Sequence, residues 1–475
     1  MQQNTTEIFR DAPVPKAVLS NVIPSIISMI MVLIYNLADT FFIGQTKNAL
    51  MVAAVSVATP AFLLFMAVGM LFGIGGTSFI SRMLGEGQEE RAKHASAFCF
   101  WTGLAVGIIS MILIVIFAEP VCKAIGASAD TVEYATQYLR IVAIGIPFLI
   151  ISNAFSNIIR SEGRAKTAMS GMIISNAFSN IIRSEGRAKT AMSGMIIGNM
   201  ANVILDPVMI LLLGWNVAGA AIATVIGNIL SAVFYVSHLL SKKSQLSIRL
   251  QDYKAGDKIA GSVFAIGIPA SLNSVLMSVS NIFINNLMAH YGDMAVAGLG
   301  VAMKVNMIVV MLLIGLGTGI QPLLGYCFGA GNRKRYFAVL KFSILLAFVL
   351  SAIMTCVCYF GADGLVSAFL EDADAYDFGF QFSRIYILSG PILGQLFVFI
   401  NAIQSTGAAL PSLILSISRQ GLLYLPILFI INATTDSARL LALAQPVTDY
   451  LATALAIILF VITCKKYFPK KSSIE

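Results

Sequence analysis

Apolar runs of about 18–25 residues, each long enough to cross about 30 Å of hydrocarbon as a helix, recur from Ala17 almost to the tail. No other feature constrains the fold as strongly, because backbone groups that enter a bilayer must pair within their own segment. Only 11% of the 475 residues are charged and 58% are hydrophobic, against about a quarter charged for a soluble domain. Such a chain cannot cover its surface with water-compatible groups. The expected fold is an all-α polytopic membrane protein, with spans near 18–43, 51–80, 95–118, 133–160, 190–213, 217–240, 259–289, 294–325, 337–361, 379–403, 409–432 and 441–463. The first sixteen residues are mostly polar, and the run after them is too long for the core of a cleavable signal peptide. Six scattered cysteines lack the paired spacing of a metal site and read as small buried hydrophobes. The net charge of +8 does not point to nucleic acid, because the basic residues sit in loops between spans.

Those loops are lopsided. Arg10, Lys16, Arg82, Arg91, Lys93, Arg160, Arg164, Lys166, Lys242, Lys243, Arg249, Lys254, Lys258, Arg333, Lys334, Arg335 and four lysines of the tail fall on one side. Lys47, Lys123 and Arg439 fall on the other, with the acidic loop 362–377. Basic residues stay inside, so both termini are expected in the cytoplasm and the protein in the cytoplasmic membrane. The halves also repeat. Gly73, Gly75, Gly85, Gly87 and Arg91 recur 244 residues later, as do Arg140 and Pro147, at Arg384 and Pro391. Two parallel six-helix lobes, 1–250 and 251–475, are a transporter layout.

One stretch breaks the count. "ISNAFSNIIRSEGRAKTAMSGMI" fills 151–173 and is written again over 174–196. Beyond it the offset between halves falls to about 219, close to one repeat length, so the ancestral half lacked the second copy. A thirteenth span would move the later basic loops across the membrane, which the charge rule opposes. Pro147 ties the first "ISNAFSNIIR" to the fourth span, and "GNMANVILDP" ties the second "AMSGMI" to the fifth. The surplus, Ser161–Arg183, is expected as a helical excursion between them, unless it is a sequencing or cloning duplication.

An ionisable group at bilayer depth costs at least about 2.5–3.5 kcal/mol and needs a reason. Two carboxylates lie well inside the spans: Asp39 in the first and Asp206 in the fifth, while Asp449 reads as nearer an interface. Asn202 shares a helix face with Asp206, Pro207 frees a carbonyl one turn earlier, and Thr224 follows on the sixth span. This oxygen-rich set suits Na⁺ or a proton, since desolvation and a neighbouring carboxylate favour the neutral form of an acid.

"NLADTFFIG", "GIGGTSFISRMLGEG", "RSEGRAK", "NVILDP" and "IQPLLGYCFGAGNRKR", in this order over nearly the whole chain, resemble the multidrug and toxic compound extrusion (MATE) family. The resemblance implies two pseudo-symmetric six-helix lobes, alternating access, and export of drugs or toxic compounds against H⁺ or Na⁺. It implies a cation site at Asp39, Asn202, Asp206 and Thr224, backed by Tyr35 and Asn36. One branch of the family couples through carboxylates in its second lobe. Here Pro269 to His290 and Phe378 to Ile403 hold no Asp or Glu, so coupling is expected in the first lobe alone.

"GIGGTS" at 73–78 lacks the strand and Lys-Ser/Thr of a phosphate loop and reads as helix packing. No enzyme constellation and no cofactor beyond the coupling ion is called for. The partners expected are small amphipathic, cationic organic substrates and membrane lipids, with the protein acting as a monomer. Abundant Met and Phe suit such substrates. The alternatives are a lipid-linked saccharide flippase, for which Lys304 and Arg419 could supply a cationic cavity, and a protein disabled by its duplication.

Overall fold

The computed structural model describes residues 7–44, 49–124, 132–162, 188–241, 244–370 and 372–468. Side chains are described throughout these except at 7, 8, 37, 39–41, 43, 44, 49–62 and 124. The described chain is helical from end to end. The first lobe contains α1 (Val14–Gly44), α2 (Ala49–Gly85), α3 (Glu89–Ala124), α4 (Val132–Ile158), α5 (Ala188–Pro207) and α6 (Asn216–Leu240). The second contains α7 (Ile259–Met288), α8 (Asp293–Gly329), α9 (Arg333–Phe360), a bent α10 (Ala373–Ile387 and Gly390–Ser405), α11 (Ala409–Ile417 continuing as Tyr424–Thr434) and α12 (Ala444–Tyr467). Among the described residues eleven helices are long and apolar enough to cross a membrane, and the two halves of α10, meeting at 50°, make a twelfth. The all-helical, twelve-span expectation therefore holds.

The fifth helix of each lobe is interrupted by a π turn, Val208–Leu212 after α5 and Ser418–Leu423 inside α11. Pro207 stands just before the first and Pro426 just after the second. Such widened turns shift a helix's register by a residue and cluster at functional sites. The offset of 244 is visible in packing as well. A Cβ on Gly107 of α3 would sit 2.7 Å from Pro147 Cα of α4, and its counterpart Ser351 of α9 donates to Pro391 O of α10 at 3.2 Å.

The described basic loops and the described ends of the chain gather at one end. Arg91 donates to Asp257 O at 2.9 Å, and Trp101 donates to Ile248 O at 3.0 Å, which lays 244–258 against the start of α3. Arg335 donates to Phe9 O and Ala12 O, each at 2.6 Å, and Phe468 meets Phe328 edge-on and Tyr336 at a tilt.

Close approaches between the lobes cluster toward this same end, at positions where only glycine fits. A Cβ on Gly75 of α2 would lie 2.2 Å from Val263 O of α7, and one on Gly267 of α7 would lie 2.2 Å from Leu71 O of α2. Gly85 and Gly329 do the same between α2 and α8, and Gly319 between α8 and α1. Arg82, 8% exposed, closes the seam by donating to Ser405 O of α10 at 3.3 Å and Ser78 Oγ at 2.6 Å.

The duplicated stretch resolves as expected at its edges. The first copy ends α4 and adds a turn at Ile159–Glu162, while the second begins α5 at Ala188. Arg160 reaches Met195 Sδ at 3.7 Å, so the chain leaves and re-enters at one end of the bundle. Glu162 is buried, and it accepts from Ser244 Oγ and, at 3.3 Å, from Leu246 N of the basic loop. Of the expected excursion, Ser161–Arg183, the first two residues are buried in this turn and 163–183 lie outside the described residues.

Candidate functional site

Two glycines on facing helices set the site. A Cβ on Gly198 of α5 would meet Gly227 O of α6 at 2.5 Å, and one on Gly227 would meet Gly198 O at 2.7 Å. Small residues let two helix backbones close in this way. Ser231 Oγ donates to Gly194 O and Tyr235 Oη to Ala191 O, both at 2.7 Å, which locks the pair along its length. One turn above the glycine contact, the approach puts Asn202 of α5 against Thr224 of α6.

Asp206, Asn202 and Thr224 are buried, at 0%, 2% and 6% exposure. Their donors and acceptors match with the Asn202 amide turned so that its nitrogen faces the carboxylate. Nδ2 then donates to Asp206 Oδ2 at 2.8 Å, and Oδ1 accepts from the Thr224 backbone N at 3.0 Å and Thr224 Oγ1 at 3.2 Å. The reverse orientation would leave the amide oxygen facing a carboxylate oxygen. A carboxyl oxygen can accept this N–H, so the matched orientation satisfies both partners.

The first helix passes beside this cluster. Phe42 of α1 packs on Ile210 of the π turn and Ala220 of α6. Position 39 lies one turn before Phe42 on α1; the Asp39 side chain is outside the described residues. Of the two residues expected behind it, Tyr35 is half-buried, while Asn36 is exposed and donates to Val32 O at 2.8 Å on its own helix. Tyr138 of α4, which the sequence did not single out, is buried against Val217 and Ala221 of α6. Among the described residues no three His, Cys, Asp or Glu converge as a metal site.

A second buried polar centre lies in the other lobe, around Asp449, five residues into α12. Asp449 is 1% exposed, and Arg419 of the α11 π turn, 6% exposed, donates to its Oδ1 at 3.3 and 3.2 Å, a partner the sequence did not single out. Gln445 donates to Oδ1 at 3.2 Å and Ser389, at the bend of α10, to Oδ2 at 3.0 Å. The Arg419 guanidinium also lies 5.3 Å from the Phe397 ring centre. Lys304 is exposed, its ammonium 5.3 Å from the Phe369 ring centre. One expected cavity cation, Arg419, is thus paired with a carboxylate, while Lys304 stays exposed.

A family model, MatE, matches residues 24–176 and 269–430, more than half of the chain. The multidrug export protein MepA of Staphylococcus aureus (strain MSSA476) is 28% identical over 433 residues, 91% of this chain and 90% of that protein. MepA of Staphylococcus haemolyticus (strain JCSC1435) is 28% identical over 447 residues, 94% and 93%. A solved structure described as the outward-facing conformation of a multidrug resistance MATE family transporter of the MOP superfamily superposes with a TM-score of 0.88. It is 22% identical and covers 98% of this chain and 99% of its own.

Proposed function

Since the chain belongs to the MatE family, we propose that it is a proton-coupled secondary exporter of amphipathic organic cations, sited in the cytoplasmic membrane with both termini inside. The observation that carries this reading is the buried Asp206, hydrogen-bonded by an amide whose orientation Thr224 fixes. A carboxylate enclosed in this way can hold a proton when one face of the protein is open and release it when the other is. Of the two ions the sequence left open, the geometry favours the proton. The Asn202 amide directs N–H, not oxygen, at the carboxylate, whereas a sodium ion needs several converging oxygens.

Loading Asp206 removes the charge that Asn202 hydrogen-bonds, and α1, which packs on the π turn through Phe42, takes up the change. Substrate would leave as the lobes part at one end and close at the other. The glycine seam and Arg82 shut the basic end, so the arrangement corresponds to a cavity closed to the cytoplasm. Only ligands with different affinities for the two states can drive such a cycle.

The export class rests on the MepA relatives, both named multidrug export proteins. The flippase alternative loses half of its cationic support, because Arg419 is paired with Asp449. Inactivation by the duplication loses ground too, since the first copy completes α4 and the second starts α5.

The test is efflux of a fluorescent organic cation from cells producing Asp39→Asn or Asp206→Asn at wild-type levels. Both variants are expected to lose nearly all active efflux. Wild-type efflux in both would remove the site.

A further inference from the structure

We propose that the lipid-facing groove between α3 and α4 holds one anionic phospholipid, its phosphate on Arg140 and an acyl chain along the groove. The groove measures about 410 Å³ and is lined by Met111, Ile112, Val115, Ile116, Ile141 and Ile144, with Arg140 the single charged side chain. Its volume falls within the usual range for a small-molecule site, about 300–1,000 Å³.

The two lobes treat the same arginine differently. Arg140 corresponds to Arg384, by the offset of 244 that Gly107 and Pro147 share with Ser351 and Pro391 in their packing. In the second lobe the half-buried guanidinium is capped by two rings: Arg384 lies 4.0 Å from the ring centre of Tyr359 and 5.3 Å from that of Phe380. The matching positions in the first lobe are Val115 and Thr136. The ring that fills the space over Arg384 is thus missing over Arg140, and Val115 lines the groove left behind.

Arg140 is exposed and has no hydrogen bond or ion pair among the described residues. It lies eight residues into α4, roughly 12 Å along the helix from Val132, in the half of the bundle away from the basic end. Cations at such depth are paired or reach for the interface. Among the described residues, the carboxylates above it do not neutralise it. Glu119 is within electrostatic reach but is held by Lys123 at 2.7 Å, and Glu133 is exposed two turns nearer the helix start. A phosphate from the surrounding leaflet meets this need and delivers an apolar chain to the groove below.

The test uses the full chain in bilayer discs of phosphatidylglycerol and phosphatidylcholine, extracted into mild detergent and weighed intact by native mass spectrometry. Wild type is expected to retain one phosphatidylglycerol in preference to phosphatidylcholine. Arg140→Gln should lower that retention about fivefold, as expected from about 1 kcal/mol per basic side chain at an anionic surface, and Arg140→Lys should restore most of it. Val115→Tyr, which copies the Tyr359 lid while keeping the charge, should lower it as well, and Arg384→Gln should not. Undiminished phosphatidylglycerol in Arg140→Gln, or equal retention of phosphatidylcholine by wild type, overturns the proposal. So does displacement of the lipid by an organic-cation substrate, which would make the groove a transport subsite.

Discussion

At the scale of single residues, Asn202 matters more than its uncharged side chain suggests. It donates to Asp206 Oδ2, and its own oxygen accepts from the Thr224 backbone N–H, which a valine at 224 would keep. Hydrogen bonds to charged groups contribute about 1.5–3 kcal/mol, and those between neutral groups about 0.5–1.5. Asn202→Ala is therefore expected to shift the proton concentration for half-maximal efflux by about ten- to a hundredfold, and Thr224→Val by tenfold or less. An efflux titration over pH checks the order, and a larger effect at Thr224 would contradict it. The Arg419–Asp449 pair calls for a different experiment. Removing one partner of a buried pair costs about 3–5 kcal/mol because the other charge stays buried. Arg419→Gln should lower the thermal midpoint of purified protein sharply, and Arg419→Gln with Asp449→Asn should recover most of the loss.

Between helices, the site exists because two glycines face each other. A Cβ at Gly198 would come within 2.0 Å of Ser231 Oγ and 2.5 Å of Gly227 O, so α6 must move away and carry Thr224 from Asn202. Overpacking of this kind typically costs about 1–3 kcal/mol. Gly198→Ala is expected to lower both the thermal midpoint and efflux. Gly261→Ala on α7, where a side chain meets open space, should lower neither. Much of this scale was legible in the sequence. Asn202 and Asp206 are one turn apart on one helix, so periodicity alone put them together, and Thr224 lies on the next helix of the same hairpin. What escaped was contact between distant segments. Asp449 sits near the start of an apolar run and so read as interfacial. It is buried because α10 bends beside Ser389 and a π turn in α11 delivers Arg419, which no local pattern announces.

For the whole molecule, the charge bias grouped the basic loops on one side, and among the described residues Arg335, Trp101 and Arg91 tie the segment around Phe9 and the 244–258 loop to the helix starts there. The duplication is absorbed because the repeat is identical. Deleting Ser161–Arg183 joins Arg160 to Ser184 and restores the same RSEG sequence, with Glu185 in the place of Glu162. The buried carboxylate over Ser244 is then rebuilt. Efflux and thermal midpoint are expected to match the full chain, and a clear loss of either would give the extra residues a role.

The most direct test of the coupling claim is made in sealed vesicles containing purified protein, with an imposed proton or sodium gradient and a fluorescent organic cation as cargo. A proton gradient should drive transport by wild type and fail with Asp206→Asn, while a sodium gradient alone should drive none. Gradient-driven transport that survives Asp206→Asn would contradict the account at its centre.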